Sequence, residues 1–344
     1  MKACSPLRCS IASRQLILLL ASAVAVCGLV GPAALGQGQE CAQCGITASL
    51  EVVPAPVPDG ELVFRSQVNE VSVLFTVAQG GKFIDNLTAR DVIVRDDNKP
   101  PAAIVGFRTQ RELPMRVGLV IDTSDSVHSR FRFEQQAAIA FLRQVISRND
   151  DLAFVVGFNN SIEVTQDFAG DHDLLSQGVE RLKIGGGTAM YNAVYESCEK
   201  LTRHPEKDIV ARVIVILSDG QNNAGKVTLD QAIKAAEDTD VTIYSISTNF
   251  DSTTDPEHQY SAQEGNNNLR KLAEQTGGRV LFPGGAKEVG KAFAKIGEEL
   301  RSRYAISYRP ADFASDGRYR KINIEAHKSG EKLHIRARKG YYAR

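Results

Sequence analysis

Five side chains with hard oxygen atoms stand at positions where they could bind a divalent cation. They are Asp122, Ser124, Ser126, Thr188 and Asp219. Carboxylate and hydroxyl oxygens are the ligands that Mg²⁺ prefers, and Mn²⁺ and Ca²⁺ accept them as well. The six histidines of the chain show no metal-ligand spacing. The five residues therefore predict a site for Mg²⁺, with Mn²⁺ or Ca²⁺ as alternatives.

Ordinary structural roles could explain each of these residues alone. Asp and Ser often cap helices, so the first three could form an N-cap cluster. Thr188 could cap the helix that follows it, and Asp219 could form a tight turn with Gly220. Their occurrence in this order, each at the end of a predicted strand or the start of a predicted helix, favours the metal site.

Strand and helix patterns alternate in the middle of the chain, across residues 115–303. Apolar residues predict strands at 117–121, 152–158, 162–166, 213–217, 241–247 and 280–282, and the runs at 117–121 and 213–217 are continuous. Helical periodicity predicts helices at 131–146, 174–182, 191–201, 229–237, 269–275 and 289–300. This alternation predicts an α/β fold with a doubly wound, mainly parallel sheet. Because ligands bind at the carboxyl ends of such strands, the polar residues after 121 and 217 should lie close together.

Short strand patterns separated by turns flank this α/β block on both sides. They occupy residues 48–110, where Val71, Val73, Phe75 and Val77 alternate with their neighbours, and residues 304–344. Neither stretch is long enough to bury a sizeable core alone. We expect the two sets of strands to meet and to form one small β-sandwich-like domain.

Residues 1–36 have the anatomy of a secretory signal peptide. Three basic residues precede an apolar run at 16–30, and a small-x-small site ends at Gly36. The run is shorter than the ~20 residues needed to span a bilayer. The protein is therefore expected to be exported, to the periplasm or outside the cell. An uncleaved membrane anchor is the alternative.

Residues 37–47 are predicted to be a flexible leader that carries a CxxC motif, Cys41 to Cys44. A local disulfide, or no role, is favoured over redox catalysis, because no βαβ pattern surrounds the motif. Cys198 falls within a helical pattern and is predicted to be a small buried apolar residue.

Charge and motif content argue against nucleic acids and nucleotides as ligands. The chain has 41 basic and 41 acidic residues, so no basic field indicates a nucleic-acid partner. The phosphate-binding pattern GxxxxGK[ST] does not occur, which argues against nucleotide binding.

The pattern Asp122-x-Ser124-x-Ser126, followed by Thr188 and Asp219, resembles the metal-ion-dependent adhesion site of the von Willebrand factor type A domain. This resemblance implies that Ser124, Ser126 and Thr188 bind the ion directly, and that the two aspartates support it. It also implies a protein partner whose Glu or Asp fills an open coordination position. With the flanking strands, the chain is similar to a bacterial group of exported proteins that contain type A-related domains.

The resemblance implies an adhesion or scaffold module rather than an enzyme. A metal-assisted hydrolase and a purely structural metal site are the alternatives. The family most often has Gly where Asp125 stands. This side chain could add negative charge near the ion, but an orientation towards solvent is favoured. Asn222 and Asn223 could touch a ligand, although a role in the turn is favoured.

Overall fold

The computed structural model describes residues 70–109, 112–206, 209–250, 255–328 and 331–344. The predicted signal peptide, the predicted leader with Cys41 and Cys44, and residues 48–69 lie outside the described residues.

Strands precede the α/β block, as the alternating pattern predicts. They are β1 (Val71–Gln79), β2 (Lys82–Phe83), β3 (Val92–Asp96) and β4 (Ala103–Thr109). In β1 the apolar residues Val71, Val73, Phe75 and Val77 are all buried. The period of two therefore marks the face of β1 that packs into a core.

The middle of the chain forms one mainly parallel sheet. Its strands are β5 (Met115–Asp122), β6 (Leu152–Phe158), β7 (Ile162–Ala169), β8 (Ala211–Ser218), β9 (Val241–Ser247) and β10 (Val280–Leu281). Their order is β10-β9-β8-β5-β6-β7, and β7 runs antiparallel to β6. Every residue of β5 is buried, because β5 lies in the interior of the sheet and both faces are covered.

Helices cover both faces of this sheet. They are α1 (Phe131–Val145), α2 (His172–Glu180), α3 (Met190–Arg203), α4 (Leu229–Asp238), α5 (Pro256–Gln275) and α6 (Val289–Arg301). One core lies between the sheet and α1, α2 and α6, and a second lies between the sheet and α3, α4 and α5. The doubly wound α/β prediction is confirmed. Among the described helices, none is both long and apolar enough to cross a membrane.

Helix α5 is much longer than the sequence pattern predicts, since it begins at Pro256 rather than at Leu269. Its first half is polar and mostly exposed, so it has no apolar stripe to detect. The local start signal is nevertheless present. The Asp255 side chain accepts a hydrogen bond from the backbone N–H of Glu257, and Pro256 occupies the first turn.

The chain ends in strands that return to the first ones. They are β11 (Arg303–Arg309), β12 (Tyr319–Lys328), β13 (Glu331–Lys332), β14 (His334–Ala337) and β15 (Gly340–Tyr342). One sheet has the order β14-β1-β11-β4, and β12 of the other pairs with β3, β13 and β15. Strands from both ends of the sequence therefore form the flanking β-structure, as predicted.

A buried carboxylate joins the strands of this β-structure. Asp96 accepts hydrogen bonds from the hydroxyls of Tyr308 and Tyr341, each at 2.8 Å, and from Arg320 Nε at 2.6 Å. These residues belong to β3, β11, β12 and β15. The sandwich core thus contains a charged group whose partners come from both ends of the chain.

Candidate metal centre

Asp122 is held in one orientation at the end of β5. Its Oδ1 accepts a hydrogen bond from the backbone N–H of Ser124 at 2.9 Å, and its Oδ2 accepts one from the Ser218 hydroxyl at 2.8 Å. Ser218 ends β8, which lies beside β5 and runs parallel to it. Only 1% of Asp122 is exposed. The carboxylate is therefore fixed and removed from water.

The two serines that follow Asp122 lie side by side. Ser124 Oγ is 3.1 Å from Ser126 Oγ, at the start of a short 3₁₀ helix formed by Asp125–Val127. Ser124 is buried, whereas Ser126 and Asp125 are exposed. The hydroxyl pair therefore leads from the buried carboxylate towards the surface.

The loop that carries Thr188 is hydrogen-bonded directly to the loop after β5. The backbone N–H of Gly185 donates to the Thr123 carbonyl at 2.8 Å, and the backbone N–H of Asp125 donates to the Gly186 carbonyl at 3.1 Å. Thr188 is buried. Residues 61 and 62 positions apart in the sequence are thus brought to one edge of the sheet.

Asparagine side chains hold the Thr188 loop in place. Asn223 Oδ1 accepts from the backbone N–H of Thr188 at 2.7 Å, and Asn160 Oδ1 accepts from the backbone N–H of Gly187 at 2.9 Å. A Cβ atom on Gly187 would lie 2.6 Å from Asn160 Oδ1 and 2.7 Å from Asn223 Oδ1. Glycine is required at this position because both amides approach the backbone so closely.

Asp219 lies on the loop after β8, and helix α5 packs against that loop. Asp219 Oδ1 accepts from the backbone N–H of Gln221 at 2.9 Å, and its carbonyl accepts from Asn249 Nδ2 at 2.8 Å. Gly220 has a φ of 81°, and a Cβ on it would lie 2.1 Å from the Gly265 carbonyl oxygen. Because α5 comes so close, the Asp219 loop has little room to move.

The negatively charged carboxylates at this edge of the sheet repel one another. Burial, together with a smaller contribution from the charge of Asp219, raises the pKa of Asp122 to about 6. Burial also raises the pKa of Glu134, to about 7, with smaller contributions of the same sign from Asp122 and Asp219. A cation near Asp122 and Asp219 would relieve this repulsion.

The donor set fits a hard divalent cation. Among the described residues, no group of three or more His, Cys, Asp or Glu side chains could hold a metal ion. A metal centre at this edge would therefore depend on hydroxyl oxygens beside the two aspartates. The hydroxyl pair of Ser124 and Ser126, next to a buried carboxylate, meets that requirement.

Several contacts at this edge were not predicted from the sequence. The sequence analysis assigns no role to Ser218, yet its hydroxyl binds Asp122. The predicted turn residues Asn222 and Asn223 also bind the backbone N–H groups of Tyr191 and Thr188. One sequence feature could have indicated these contacts. Polar residues follow two buried strands, and parallel pairing places the ends of adjacent strands side by side.

The family model for the von Willebrand factor type A domain matches residues 117–292, just over half of the chain. The chain belongs to the von Willebrand factor type A domain family. The matched segment begins in β5 and ends in α6, so it includes every predicted metal ligand. No curated protein matches the chain significantly.

Solved structures of several type A domains are similar to this chain. The von Willebrand factor type A from Catenulispora acidiphila has 12% identity and a TM-score of 0.45, and the match covers 78% of this chain and 71% of that one. The vWF domain of the type V pili tip protein Mfa5 from Porphyromonas gingivalis has 13% identity, with a TM-score of 0.44 over 54% of this chain and 94% of that one.

A third similar structure is proximal thread matrix protein 1 from the mussel byssus, with a MIDAS motif occupied by zinc. It has 14% identity and a TM-score of 0.46, and the match covers 57% of this chain and 50% of that one. The chain thus spans half of the length of the mussel protein.

Proposed function

We propose that this protein is an exported binding module that holds a protein partner through a divalent cation, normally Mg²⁺. Ser124, Ser126 and Thr188 would hold the ion directly, with Asp122 and Asp219 in supporting positions. A Glu or Asp of the partner would complete the coordination. The protein would act in adhesion or as a scaffold, without a catalytic step.

The connection of the loops at the edge of the sheet is the observation that carries this proposal. Backbone hydrogen bonds join the Ser124 loop to the Thr188 loop, and the Asn223 side chain joins the Thr188 loop to the loop after β8. Asp122 is buried beneath this arrangement, whereas Ser126 is exposed. The open side of the proposed centre therefore faces solvent, where a partner can approach.

The residues of the chain orient the donors before any ligand arrives. When bound, the cation supplies a Lewis-acidic position for an oxygen of the partner. Ser218 and the Ser124 backbone fix Asp122, while Asn223 and Asn160 fix the Thr188 loop. This preorganisation lowers the entropic cost of assembling the site around an ion.

Capture of a partner from native extract tests the proposal. Wild-type protein and Asp122→Ala should be used as baits, each with Mg²⁺ and with a chelator. We expect wild type to retain a specific partner only with Mg²⁺, and Asp122→Ala to retain none. Partner binding that is unchanged by the chelator would contradict the proposal.

A metal that only fastens the loops is distinguished by Thr188→Ala. Under our proposal, this variant binds Mg²⁺ and partner more weakly while the metal-free protein keeps its thermal unfolding temperature. Lost stability with intact partner binding would favour the structural role instead.

Export is tested by cell fractionation and N-terminal sequencing of the mature protein. We expect a soluble exported form that begins at Gln37, because the small-x-small site ends at Gly36. A full-length form that remains in the membrane fraction would instead support an uncleaved anchor.

A further inference from the structure

Among the described residues, two arginines pair with a buried glutamate where the sheet of β1 meets the α/β part, and a third arginine lies over the tyrosine that binds the same glutamate. The glutamate is Glu299 of α6, which is 0% exposed. The arginines are Arg279, which precedes β10, Arg303, which begins β11, and Arg336 of β14. None of these residues belongs to the proposed metal centre.

Three donors contact the two carboxylate oxygens of Glu299. Arg336 Nη1 donates to Oε1 at 2.6 Å, and the Tyr244 hydroxyl donates to the same oxygen at 3.1 Å. Arg279 Nε lies 2.7 Å from Oε2, which is within ion-pair distance. The N–H of Arg279 Nε does not point at Oε2 well enough for a hydrogen bond. Arg279 Nε and Glu299 Oε2 therefore lack hydrogen-bond partners among the described residues.

Arg303 is buried without a carboxylate of its own. It is 2% exposed, and its Nε and Nη1 have no hydrogen-bond partner in the described part of the chain. Its guanidinium lies over the Tyr244 ring, 5.6 Å from the centroid. This contact stabilises a cation only partly, because it satisfies none of the N–H donors.

The strand register groups the arginines on one face of the sheet. Thr76 of β1 lies directly opposite Arg303 on one side and Arg336 on the other. Residues directly opposite each other across a strand pair point to the same face, about 5 Å apart. The side chains of Arg303, Thr76 and Arg336 therefore form a row, with the short Thr76 in the centre.

The cluster has an excess of positive charge: Arg303 is buried, and the side chains of Arg279 and Arg336 are 26% and 28% exposed. Two guanidinium groups, those of Arg279 and Arg336, share the carboxylate of Glu299, and no ion pair of Arg303 is seen among the described residues. Buried charges are stable only when they are paired and hydrogen-bonded. An anion beside Arg279 and Arg336 would offset this charge and accept hydrogen bonds from their guanidinium groups.

A cleft beside this cluster can accept such an anion. Its volume is about 230 Å³, and its lining includes Thr76, Arg279, His334 and Arg336, together with Gly80 and Gly81 of the β1–β2 turn. None of the described residues that line it is acidic. The volume is many times the ~10–15 Å³ that one water requires.

We propose that this cleft is a binding site for a tetrahedral oxyanion, a phosphate or sulfate group. Arg279 and Arg336 present guanidinium donors, whose planar fork suits phosphate and sulfate oxygens. His334 and Thr76 add donors at the rim and floor. The ligand is either a free ion or an ester group on a larger molecule, since the cleft is open to solvent.

Isothermal titration calorimetry on the purified full chain tests this site. Inorganic phosphate, sulfate and glycerol 1-phosphate are titrated at low ionic strength, with chloride at matched ionic strength as the reference anion. We expect at least one oxyanion to bind with a dissociation constant of about 1 mM or tighter. Stronger binding of the ester would assign the site to an esterified phosphate, and stronger binding of phosphate to the free ion.

Matched variants distinguish a specific oxyanion site from non-specific attraction of anions to positive charge. Arg336→Gln should weaken oxyanion binding about tenfold or more, since a charge-assisted contact is lost. Arg318→Gln removes the same charge from a side chain that is 76% exposed and paired with Asp316, and it should leave the affinity unchanged. His334→Gln alters an exposed residue at the rim and should weaken binding about threefold or more.

Three results would overturn the proposal. These are the absence of binding for all three oxyanions, an equal loss of affinity in Arg318→Gln and Arg336→Gln, and equal binding of chloride. If circular dichroism shows that Arg336→Gln does not fold, His334→Gln decides. Unchanged affinity in that folded variant, compared with wild type, would then contradict the site.

Discussion

The hydroxyl of Ser126 is the most exposed of the proposed donors, which makes it the most informative to remove. It touches Ser124 Oγ at 3.1 Å and lies on a short 3₁₀ helix rather than in a core. Its loss should therefore alter ligand binding with little effect on folding.

We predict that Ser126→Ala weakens Mn²⁺ or Mg²⁺ binding about tenfold or more, because one direct ligand is lost. The thermal unfolding temperature in chelator should remain that of wild type. Ser129→Ala removes another exposed hydroxyl three residues later and serves as the matched control. Calorimetric titration with metal measures the effect, and equal affinities in both variants would exclude Ser126 as a ligand.

Glu134 is a buried acid whose protonation should affect stability. It is 1% exposed and pairs with Arg130 Nε at 3.0 Å, but its Oε2 has no hydrogen-bond partner among the described residues. Burial outweighs the attraction of Arg130 and raises the pKa of Glu134 from 4.5 to about 7. Between these pH values, the folded state holds a proton that the unfolded state has released.

We therefore predict that the Glu134 contribution to the free energy of unfolding falls as the pH rises from about 4.5 to about 7, and is constant above that range. The difference between the two pKa values corresponds to about 3 kcal/mol. Urea denaturation of metal-free wild type and Glu134→Gln across this range measures it. The variant should lose this part of the pH dependence.

Glu199→Gln is the control for this experiment, since Glu199 forms an exposed i,i+4 pair with Arg203. Its pH profile should match that of wild type. A Glu134→Gln profile parallel to wild type would show that Glu134 does not titrate in this range.

At the scale of elements, the contact between α5 and the Asp219 loop controls the shape of the sheet edge that carries the proposed metal ligands. A Cβ on Gly265 would lie 2.2 Å from the Asp219 carbonyl oxygen, so any larger side chain must push the loop away. Gly290 in α6 offers a contrast, because a Cβ there would meet nothing within 4 Å.

Gly265→Ala should lower the free energy of unfolding by about 1–3 kcal/mol, because overpacking displaces the backbone, and it should also weaken metal binding. Gly290→Ala should raise the free energy of unfolding by about 0.5–1 kcal/mol, because alanine is the better helix former. Urea denaturation distinguishes the two. A stabilising Gly265→Ala would show that α5 can move without disturbing the loop.

At the scale of the whole molecule, the last residues of the chain are bonded to one of the first described strands. Tyr341 of β15 donates its hydroxyl hydrogen to Asp96 of β3, inside the sandwich core. The neighbouring Tyr342 stacks edge-on against Tyr319, and its ring lies beside Lys234. The two tyrosines therefore differ in what their hydroxyl groups do.

Tyr341→Phe should lower the free energy of unfolding by about 1.5–3 kcal/mol, because the hydrogen bond is made to a buried charged group. Tyr342→Phe keeps the ring contacts and should change stability by less than about 0.5 kcal/mol. A single cooperative urea transition, shifted only in Tyr341→Phe, would show that both ends fold together. Equal shifts in the two variants would contradict this assignment.

The interior strands β5 and β8 could be predicted because both of their faces are covered, so they appear as uninterrupted apolar runs. The first half of α5 could not be predicted from periodicity, since its burial begins only near Gly265. At the sheet edge that carries the proposed metal ligands, residue type and spacing identify the donors. The supporting contacts of Ser218, Asn160 and Asn223 depend on which loops become neighbours.

One can derive from the sequence alone the order of strands and helices, the family pattern of the proposed donors and the alternation of β1. These are local properties, because periodicity reports which face of a segment is buried. The packing of distant segments places β1 between β11 and β14, brings Arg279 and Arg336 to Glu299, and puts Arg303 over the Tyr244 ring. Such contacts join residues far apart in the chain, so the packing of the whole molecule decides them.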